Sequence, residues 1–331
     1  MDFEHTPHSR THWFSNQLME ACGATSKDYV FVETFGMGDH INTMRVVGGI
    51  ADELKKNGGK IIFWVSQRNL LLKNYFEGVF DHVVCPTHPH GQMVDWGHLD
   101  YQVNCLAEKN IRRVGRPLIF AFDSIYDGLL GKLFRADKIT LTDIKRILLN
   151  LPFDSPLCPL TVPKEKKLEH IENAKKQGLV PGSIILFNHQ WGKNGFDENL
   201  FEEVIQKHPG KVFYDLGYGS DNERKIGGAI PLKIKLDEVI SFCEYAGTVI
   251  ARRSGIVDML ASAKVRLYSL YPTNLTYEDY QKVDEHCIST KQYLEIMDMA
   301  PKGFEKRIHI SSVEKTEVSS RHLISQMEML W

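Results

Sequence analysis

Phe35-Gly36-Met37-Gly38-Asp39-His40-Ile41-Asn42-Thr43 is the stretch of sequence that decides the fold of this chain. It follows an apolar run at residues 29–33 and leads into an amphipathic run at residues 41–54. A strand, a glycine-rich turn and a helix in this order open an α/β domain of the nucleotide-binding type. We therefore expect Asp39 in the turn at the carboxyl end of the first strand, where open α/β sheets place their chemistry.

Bulk composition limits the class of protein. The chain has 331 residues, of which 43% are hydrophobic and 25% charged, which indicates an ordinary globular protein of about two domains. A formal net charge of −2 gives no basis for binding nucleic acid through a basic surface. The six cysteines form no Cys-x-x-Cys motif, and no signal peptide or membrane span is recognisable. These features predict a cytoplasmic protein with reduced thiols.

Short apolar runs alternate with helical patterns along both halves of the chain. The runs are typical of parallel strands that are covered on both faces. The predicted strands are residues 29–33, 59–65, 81–85, 117–122, 183–187, 211–214, 230–234, 248–251 and 265–270. The predicted helices are a leading helix at residues 11–22 and, between the strands, residues 41–56, 70–76, 101–110, 129–134, 142–149, 164–176, 198–207, 236–246 and 256–263.

A break in this pattern indicates the boundary between two domains. Residues 151–163 contain four prolines and no periodicity, so we place a linker and hinge there. The fold class that follows is α/β, with two Rossmann-like, doubly wound domains at residues 1–163 and 164–310 that face each other across a cleft. Residues 311–331 are predicted to form a C-terminal helix that packs back on the first domain.

Two interpretations of Asp39 remain open. A carboxylate on a rigid turn facing a cleft has the chemistry of a general base that takes a proton from a hydroxyl group. A carboxylate at a helix start instead stabilises the helix by about 0.5–2 kcal/mol and has no catalytic role. Taken alone, the turn favours the second interpretation, because a single Gly-x-Gly-Asp motif has low specificity.

Several segments of the second half share an order with a known family. They are Gly217-Tyr218-Gly219-Ser220-Asp221-Asn222-Glu223-Arg224, Leu236-Asp237-Glu238-Val239, Arg252-Arg253-Ser254-Gly255-Ile256-Val257-Asp258 and Tyr271-Pro272-Thr273. Together with Met37-Gly38-Asp39, this series resembles the bacterial lipopolysaccharide heptosyltransferases and their GT-B relatives over residues 29–273. The chain departs from the family at two motifs. Arg253-Ser254-Gly255-x-x-Asp258 replaces Asp-Thr-Gly-x-x-His, and Tyr271-Pro272-Thr273 lacks the family's glycine.

The resemblance implies a glycosyltransferase that moves a sugar from a nucleotide-diphosphate donor to a hydroxyl of lipopolysaccharide, O-antigen or capsule. The donor would bind the second domain and a glycan or glycolipid acceptor the first, with a peripheral contact to the inner membrane left open. With Asp39 as the base, transfer would invert the anomeric configuration. No Asp-x-Asp follows a strand, so we expect no metal and no cofactor beyond the donor substrate.

The turn after residue 251 has the composition of a diphosphate site. Arg252 and Arg253 supply positive charge, and guanidinium groups match phosphate oxygens well. Ser254 is expected to cap the following helix, and Gly255 leaves room for a ligand near the helix start. Asp258, which stands where the family has a histidine, is counted among the donor-site residues. In the alternative interpretation, one of the arginines pairs with Asp258 or a neighbouring carboxylate and only holds the turn.

Other donor contacts follow from the resemblance. Lys193, in the loop after residues 183–187, corresponds to a lysine that contacts phosphate, although a solvated loop lysine is an equal alternative. Gly217 and Gly219 would let the base or ribose pack closely. Glu223 would accept from ribose hydroxyls, or else it only begins a helix.

Candidates for the acceptor side are Gly38, His40, His90 and Asp123, the last of which is better explained as a turn-capping residue. No cysteine or carboxylate completes a recognisable metal-binding spacing with the histidines around His90, so we predict no metal there. Two other functions stay open: a nucleotide-sugar hydrolase or epimerase of the same fold, and a non-catalytic nucleotide- or glycan-binding protein. A dinucleotide-dependent oxidoreductase is disfavoured, because Ile41 stands where Gly-x-Gly-x-x-Gly needs its third glycine.

Overall fold

The computed structural model divides the chain into two compact units, Met1–Thr161 and Val162–Trp331. The division falls inside the proline-rich stretch and two residues before the expected boundary. The structure describes residues 23–25, 27–33, 36–56, 58–65, 67–85, 118–121, 140–149, 151–187, 200–216, 226–252, 254–273, 302–304 and 306–312.

The first unit contains a parallel sheet of four strands among its described residues. The strands are β1 (Tyr29–Val32), β2 (Ile61–Trp64), β3 (His82–Val84) and β4 (Leu118–Ala121), in the order β3-β2-β1-β4. Its helices are α1 (Met37–Gly49), α2 (Ala51–Lys55), a 3₁₀ helix (Gln67–Tyr75) and α3 (Leu141–Leu148). The strand order reverses between β1 and β4, since the chain moves outward from β1 to β3 and then returns to the other side.

The second unit contains six parallel strands in its described part. The strands are β5 (Ile184–Phe187), β6 (Phe213–Leu216), β7 (Ile230–Leu232), β8 (Thr248–Arg252), β9 (Arg266–Thr273) and β10 (Lys306–Ser312). The helices are α4 (Lys164–Lys176), α5 (Leu200–Lys207), a 3₁₀ turn (Leu236–Glu238), α6 (Val239–Ala246) and α7 (Gly255–Leu260). None of the helices in the described ranges is long and apolar enough to cross a bilayer.

The order of the second sheet is that of a Rossmann fold. Its strands lie as β10-β9-β8-β5-β6-β7, which in chain order reads sixth, fifth, fourth, first, second, third. The winding reverses between β5 and β8, and ligands of open α/β sheets bind outside the carboxyl ends of the strands at such a reversal. The predicted fold class, with a doubly wound parallel sheet in each unit, is confirmed.

The strands form the core of each unit because their apolar runs are covered on both faces. All four residues of β2 and of β5 are buried. Burying one such isoleucine, leucine or phenylalanine contributes about 1.5–3 kcal/mol. In the first unit, Phe31 of β1 stacks on Phe63 of β2 with ring centroids 6.0 Å apart. Helix α1 is buried over residues 40–47, so it is a core helix rather than an amphipathic surface helix.

Part of the proline-rich stretch packs on the first unit. The backbone N–H of Cys158 donates to Arg45 O at 2.9 Å, and Arg45 Nε donates to Cys158 O at 3.2 Å. Further along, the backbone N–H of Thr161 donates to Tyr75 O at 3.0 Å. Only residues 162 and 163 then separate Thr161 from the first residue of α4.

Helix α1 starts earlier than the sequence predicted. It begins at Met37 rather than at residue 41, with Gly36 in an extended conformation as the N-cap. The sequence predicts a turn at both Gly36 and Gly38, but Gly38 is the second residue of the helix. Glycine in a helix interior is destabilising. In the first helical turn this penalty matters less, since the N–H groups there have no intrahelical partner in any case. The predicted helix at residues 70–76 is a 3₁₀ helix that starts at Gln67.

The end of the second sheet was not predicted. Tyr271, Pro272 and Thr273 were expected to close β9, but they continue it, and β10 pairs with them in parallel register. Pro272 is tolerated because β8 already ends at Arg252, opposite Leu270, so only β10 lies beside it. Ser311 and Ser312, expected to begin the C-terminal helix, lie in β10.

Candidate functional site

Asp39 lies in the first turn of α1, at the carboxyl edge of the first sheet. It is the third helical residue after the Gly36 N-cap. The prediction that it lies in the turn before the helix is therefore wrong. Its side chain is half-buried, and Oδ2 lies 3.5 Å from the position that a Cβ atom on Gly36 would take. The carboxylate thus leans back toward the helix start, which is the favourable position for an acid in a first turn.

His40 is fully buried beside Asp39. Its Nδ1 atom lies 3.0 Å from Gly36 O and 3.1 Å from Asn69 Nδ2, so the ring joins α1 to the 3₁₀ helix. A ring with 0% exposure has no surface to offer to an acceptor. We therefore remove His40 from the predicted acceptor contacts and assign it a packing role. Gly38 lies in the same first turn and is half-buried.

Three side chains meet at the end of β1, and we call them the Glu33 cluster. Thr43 Oγ1 on α1 and Lys145 Nζ on α3 both donate to Glu33 Oε2, each at 2.6 Å. Glu33 directly follows β1, and all three residues are 0% exposed. The cluster ties the end of the strand to both helices.

This cluster was not predicted, although the sequence carries two signals for it. Glu33 is a carboxylate at the end of the apolar run Tyr-Val-Phe-Val. Lys145 occupies the apolar face of a helix, at the i, i+3, i+4, i+7 spacing defined by Leu141, Ile144 and Leu148. A lysine and a glutamate that each interrupt a buried pattern are candidates for a buried ion pair.

The predicted diphosphate turn follows β8 at the reversal of the second sheet. Ala251 is in register with Phe187, the last residue of β5, so Arg252 lies at the carboxyl edge of both strands. Ser254 and Gly255 follow at once and lead into α7. The sequence predicted the turn, and the strand order shows that it follows a strand at the point where the order of the sheet reverses.

Three expectations for this turn need correction. Ser254 occupies the N-cap position of α7, but its side chain forms no capping hydrogen bond, because the turn is closed by Val257 N–H donating to Ser254 O at 2.9 Å. Helix α7 has only six residues, so its dipole is too short to attract an anion strongly. Asp258 is 6% exposed and offers little surface to a ligand.

Several predicted residues lie outside the described residues. They are Lys193, Gly217, Gly219, Glu223, Arg253, His90 and Asp123. For Arg252 the structure describes the backbone alone. The segment with Gly217 and Gly219 is bracketed by Asp215 and Ile226, where the backbone N–H of Ile226 donates to Asp215 Oδ2 at 3.1 Å. Among the described residues, no group of three or more histidines, cysteines and acids could hold a metal ion.

Comparison with known proteins identifies the architecture. No protein-family model and no curated protein sequence matches the chain. Among solved structures, it is similar to the family 9 glycosyl transferase of Veillonella parvula, with a TM-score of 0.53 at 15% identity over 90% of this chain and 97% of that one. It is similar to ADP-heptose lipopolysaccharide heptosyltransferase II of Escherichia coli, with a TM-score of 0.53 at 13% identity over 91% and 99%.

A third similar structure is the E. coli heptosyltransferase WaaC with ADP-2-deoxy-2-fluoro heptose. Its TM-score is 0.55 at 11% identity, over 92% of this chain and 100% of that one. At such low identities the likeness establishes the fold and not the activity. The chain has the GT-B fold of the heptosyltransferases, as its motifs predicted.

Proposed function

We propose that the protein is a glycosyltransferase that moves a sugar from a nucleotide-diphosphate donor to a hydroxyl group of a bacterial surface glycan. The proposed acceptor is lipopolysaccharide, O-antigen or capsule. The fold supports the proposal, since two of the similar structures are named as heptosyltransferases and one of them was solved with an ADP-sugar analogue.

One observation carries this proposal. In each sheet, the residue proposed for the chemistry lies at the end of a strand that flanks the reversal of strand order, or shortly after that end. Asp39 comes after β1 in the first unit, and Arg252 ends β8 in the second. Open α/β sheets bind ligands at these positions, and a carboxylate and a cation are the two groups that the reaction needs.

The donor diphosphate would be held by cationic side chains from the loop after β5 and from the end of β8. Arg252, Arg253 and Lys193 are the groups proposed to stabilise the negative charge that develops on the leaving nucleoside diphosphate. Guanidinium groups can do this through paired hydrogen bonds to phosphate oxygens. Transfer is therefore proposed to proceed without a metal ion.

The reaction would be a single displacement. The acceptor oxygen attacks the anomeric carbon, its proton passes to the Asp39 carboxylate, and the bond from that carbon to the diphosphate oxygen breaks. Attack from the side opposite the leaving group inverts the anomeric configuration. Acceptors that are built on lipid would bring the enzyme to the face of the inner membrane, as a peripheral and cytoplasmic protein.

A panel of ADP-, UDP-, GDP-, dTDP- and CMP-sugars tests the donor site. A donor that binds only the folded state at a hundred times its Kd stabilises the protein by about 2.7 kcal/mol, so it raises the melting temperature by several degrees. Arg252→Ala should abolish most of that rise. Arg266→Ala is the matched control, because Arg266 is an exposed arginine that starts β9 and pairs with Thr248, at the opposite end of β8.

The results separate the candidate functions. A rise in melting temperature that survives Arg252→Ala, or that Arg266→Ala abolishes to the same extent, would contradict the assignment of the donor site. Release of nucleotide and free sugar without an acceptor would indicate a hydrolase, and donor binding with no product over long incubation would indicate a binding protein.

A further inference from the structure

The Glu33 cluster is a buried polar feature that the proposed reaction does not use directly. Glu33 and Lys145 have no exposed side-chain surface, and their N–O distance is 2.6 Å. Thr43 donates to the same carboxylate oxygen. One oxygen atom therefore receives two hydrogen bonds from two different helices.

Stability alone is a weak reason for such a cluster. Burying two charges carries a desolvation penalty that their attraction often only balances, and apolar residues of similar volume stabilise as well or better. A buried ion pair does fix a geometry, because its charged atoms cannot separate without leaving one charge unpaired. What the cluster fixes is the position of α1 relative to the end of β1.

The cluster lies close to Asp39 along the chain and along the helix. Thr43 is four residues after Asp39 on α1, so the two side chains share one face of the helix, one turn apart. Glu33 lies six residues before Asp39, at the other end of the connection from β1 to α1. A rotation or a shift of α1 that moved Asp39 would have to break the Thr43–Glu33 bond.

We infer that Glu33, Thr43 and Lys145 are positioning residues that hold the first turn of α1, and with it the Asp39 carboxylate, at the carboxyl edge of the first sheet. The inference rests on the proposed function for its catalytic consequence, but the fixed position of Asp39 is a structural claim that needs no substrate. Lys145 acts from α3, a helix that begins with a capping box of Thr140 and Asp143.

The test uses the full chain with ¹³C-labelled aspartate, and the side-chain carboxyl signal of Asp39 is assigned by its loss in Asp39→Asn. Thr43→Val removes the hydroxyl donor to Glu33 at nearly the same volume, and Thr43→Ser keeps it. Thr142→Val is the matched control, because Thr142 is also buried in this unit, with its Oγ1 3.0 Å from Thr140 Oγ1.

We expect Thr43→Val to shift the Asp39 signal, Thr43→Ser to restore it and Thr142→Val to leave it in place. An Asp39 signal that stays unchanged in Thr43→Val and also in the Glu33→Gln/Lys145→Met double variant would overturn the inference. The double variant removes both charged side chains, in case the loss of one hydroxyl is too small a change to move Asp39. Thermal melting shows whether each variant is folded.

Turnover gives the second readout, with ADP-heptose as the donor probe. Thr43→Val should lower kcat by about tenfold to a hundredfold, as expected for a displaced catalytic group, with KM for the probe unchanged. A purely structural role would lower the melting temperature without this separation of kcat from KM. The two proposals fail differently: full turnover in Asp39→Asn contradicts the base, whereas an unmoved Asp39 signal contradicts the positioning role.

Discussion

Gly49, near the end of α1, has no room for a side chain. A Cβ atom at this position would lie 1.8 Å from Pro156 O, which belongs to the proline-rich stretch packed on the helix. Both atoms are fixed by the backbone, so a clash cannot be relieved by rotating a side chain. The proline-rich stretch can therefore approach α1 only because position 49 is glycine.

Gly49→Ala should destabilise the first unit. The forced shift of backbone against backbone is expected to cost about 1–3 kcal/mol or more, and thermal melting would show it as a fall of several degrees. Gly210→Ala is the control, because a Cβ atom there meets nothing within 4 Å. Equal melting temperatures for the two variants would mean that the stretch around Pro156 does not pack on α1 as described.

Asp28 stabilises the amino end of the first sheet in a pH-dependent way. Its Oδ1 accepts from the backbone N–H of Lys60 at 2.8 Å, and its Oδ2 accepts from the backbone N–H of Thr25. Burial acts to raise the pKa of this carboxyl, but the hydrogen bonds from Lys60 and Thr25 outweigh it and hold the pKa below its usual value. The unfolded chain therefore takes up this proton more readily than the folded one.

The contribution of Asp28 is present above its unfolded pKa of about 3.9 and is lost as the pH falls through the lower folded value. Asp28→Asn should lower the melting temperature at neutral pH and should make its decline below about pH 4 less steep. Melting curves recorded at a series of pH values check this. If the melting temperature fell equally steeply below about pH 4 in the wild type and in Asp28→Asn, Asp28 would not contribute to acid unfolding.

At the scale of elements, α3 is attached to the sheet through a buried ion pair. Lys145→Met leaves the Glu33 carboxylate buried with its main counter-charge removed, which is expected to cost about 3–5 kcal/mol. Glu33→Gln/Lys145→Met removes both charges and should recover most of that loss. Urea unfolding measures both values, and equal losses in the two variants would contradict a buried, charged pair.

The elements that the sequence predicted well are those with continuous apolar runs. Strands β1, β2 and β5 and helix α4 lie within a residue or two of their predicted ranges, since burial on both faces or a long charged helix leaves a clear pattern. Strand β10 was missed because Lys306, Arg307 and His309 make its pattern polar. Only its pairing with β9, a contact between distant residues, makes it a strand.

The candidate site was predictable only in part. Glycine-rich turns after apolar strands pointed to Asp39 and Arg252, because strand ends can be read from local sequence. The burial of His40 depends on contacts with another element, the 3₁₀ helix, so local sequence could not show it. The missing side-chain cap at Ser254 depends on the backbone conformation of the turn, which the residue type alone does not determine. The Glu33 cluster depends on α3, which lies 112 residues away along the chain.

At the scale of the whole molecule, each unit repeats one design. In each unit, the order of the parallel strands reverses beside the first strand of that unit. A candidate residue lies at the end of a strand at this reversal, or shortly after it. A transferase needs two such edges, because the donor and the acceptor are separate molecules. The account therefore assigns the base to the first unit and the donor diphosphate to the second.

The turnover of Asp39→Asn, compared with its donor binding, tests this account most directly. Loss of a general base should lower kcat by about 10²–10⁴-fold, while the donor's thermal shift stays close to that of the wild type. Asp52→Asn, in an exposed position on α2, should change neither quantity. Near-normal turnover in Asp39→Asn would contradict the account, and Asp39 would then be only a first-turn residue that stabilises its helix.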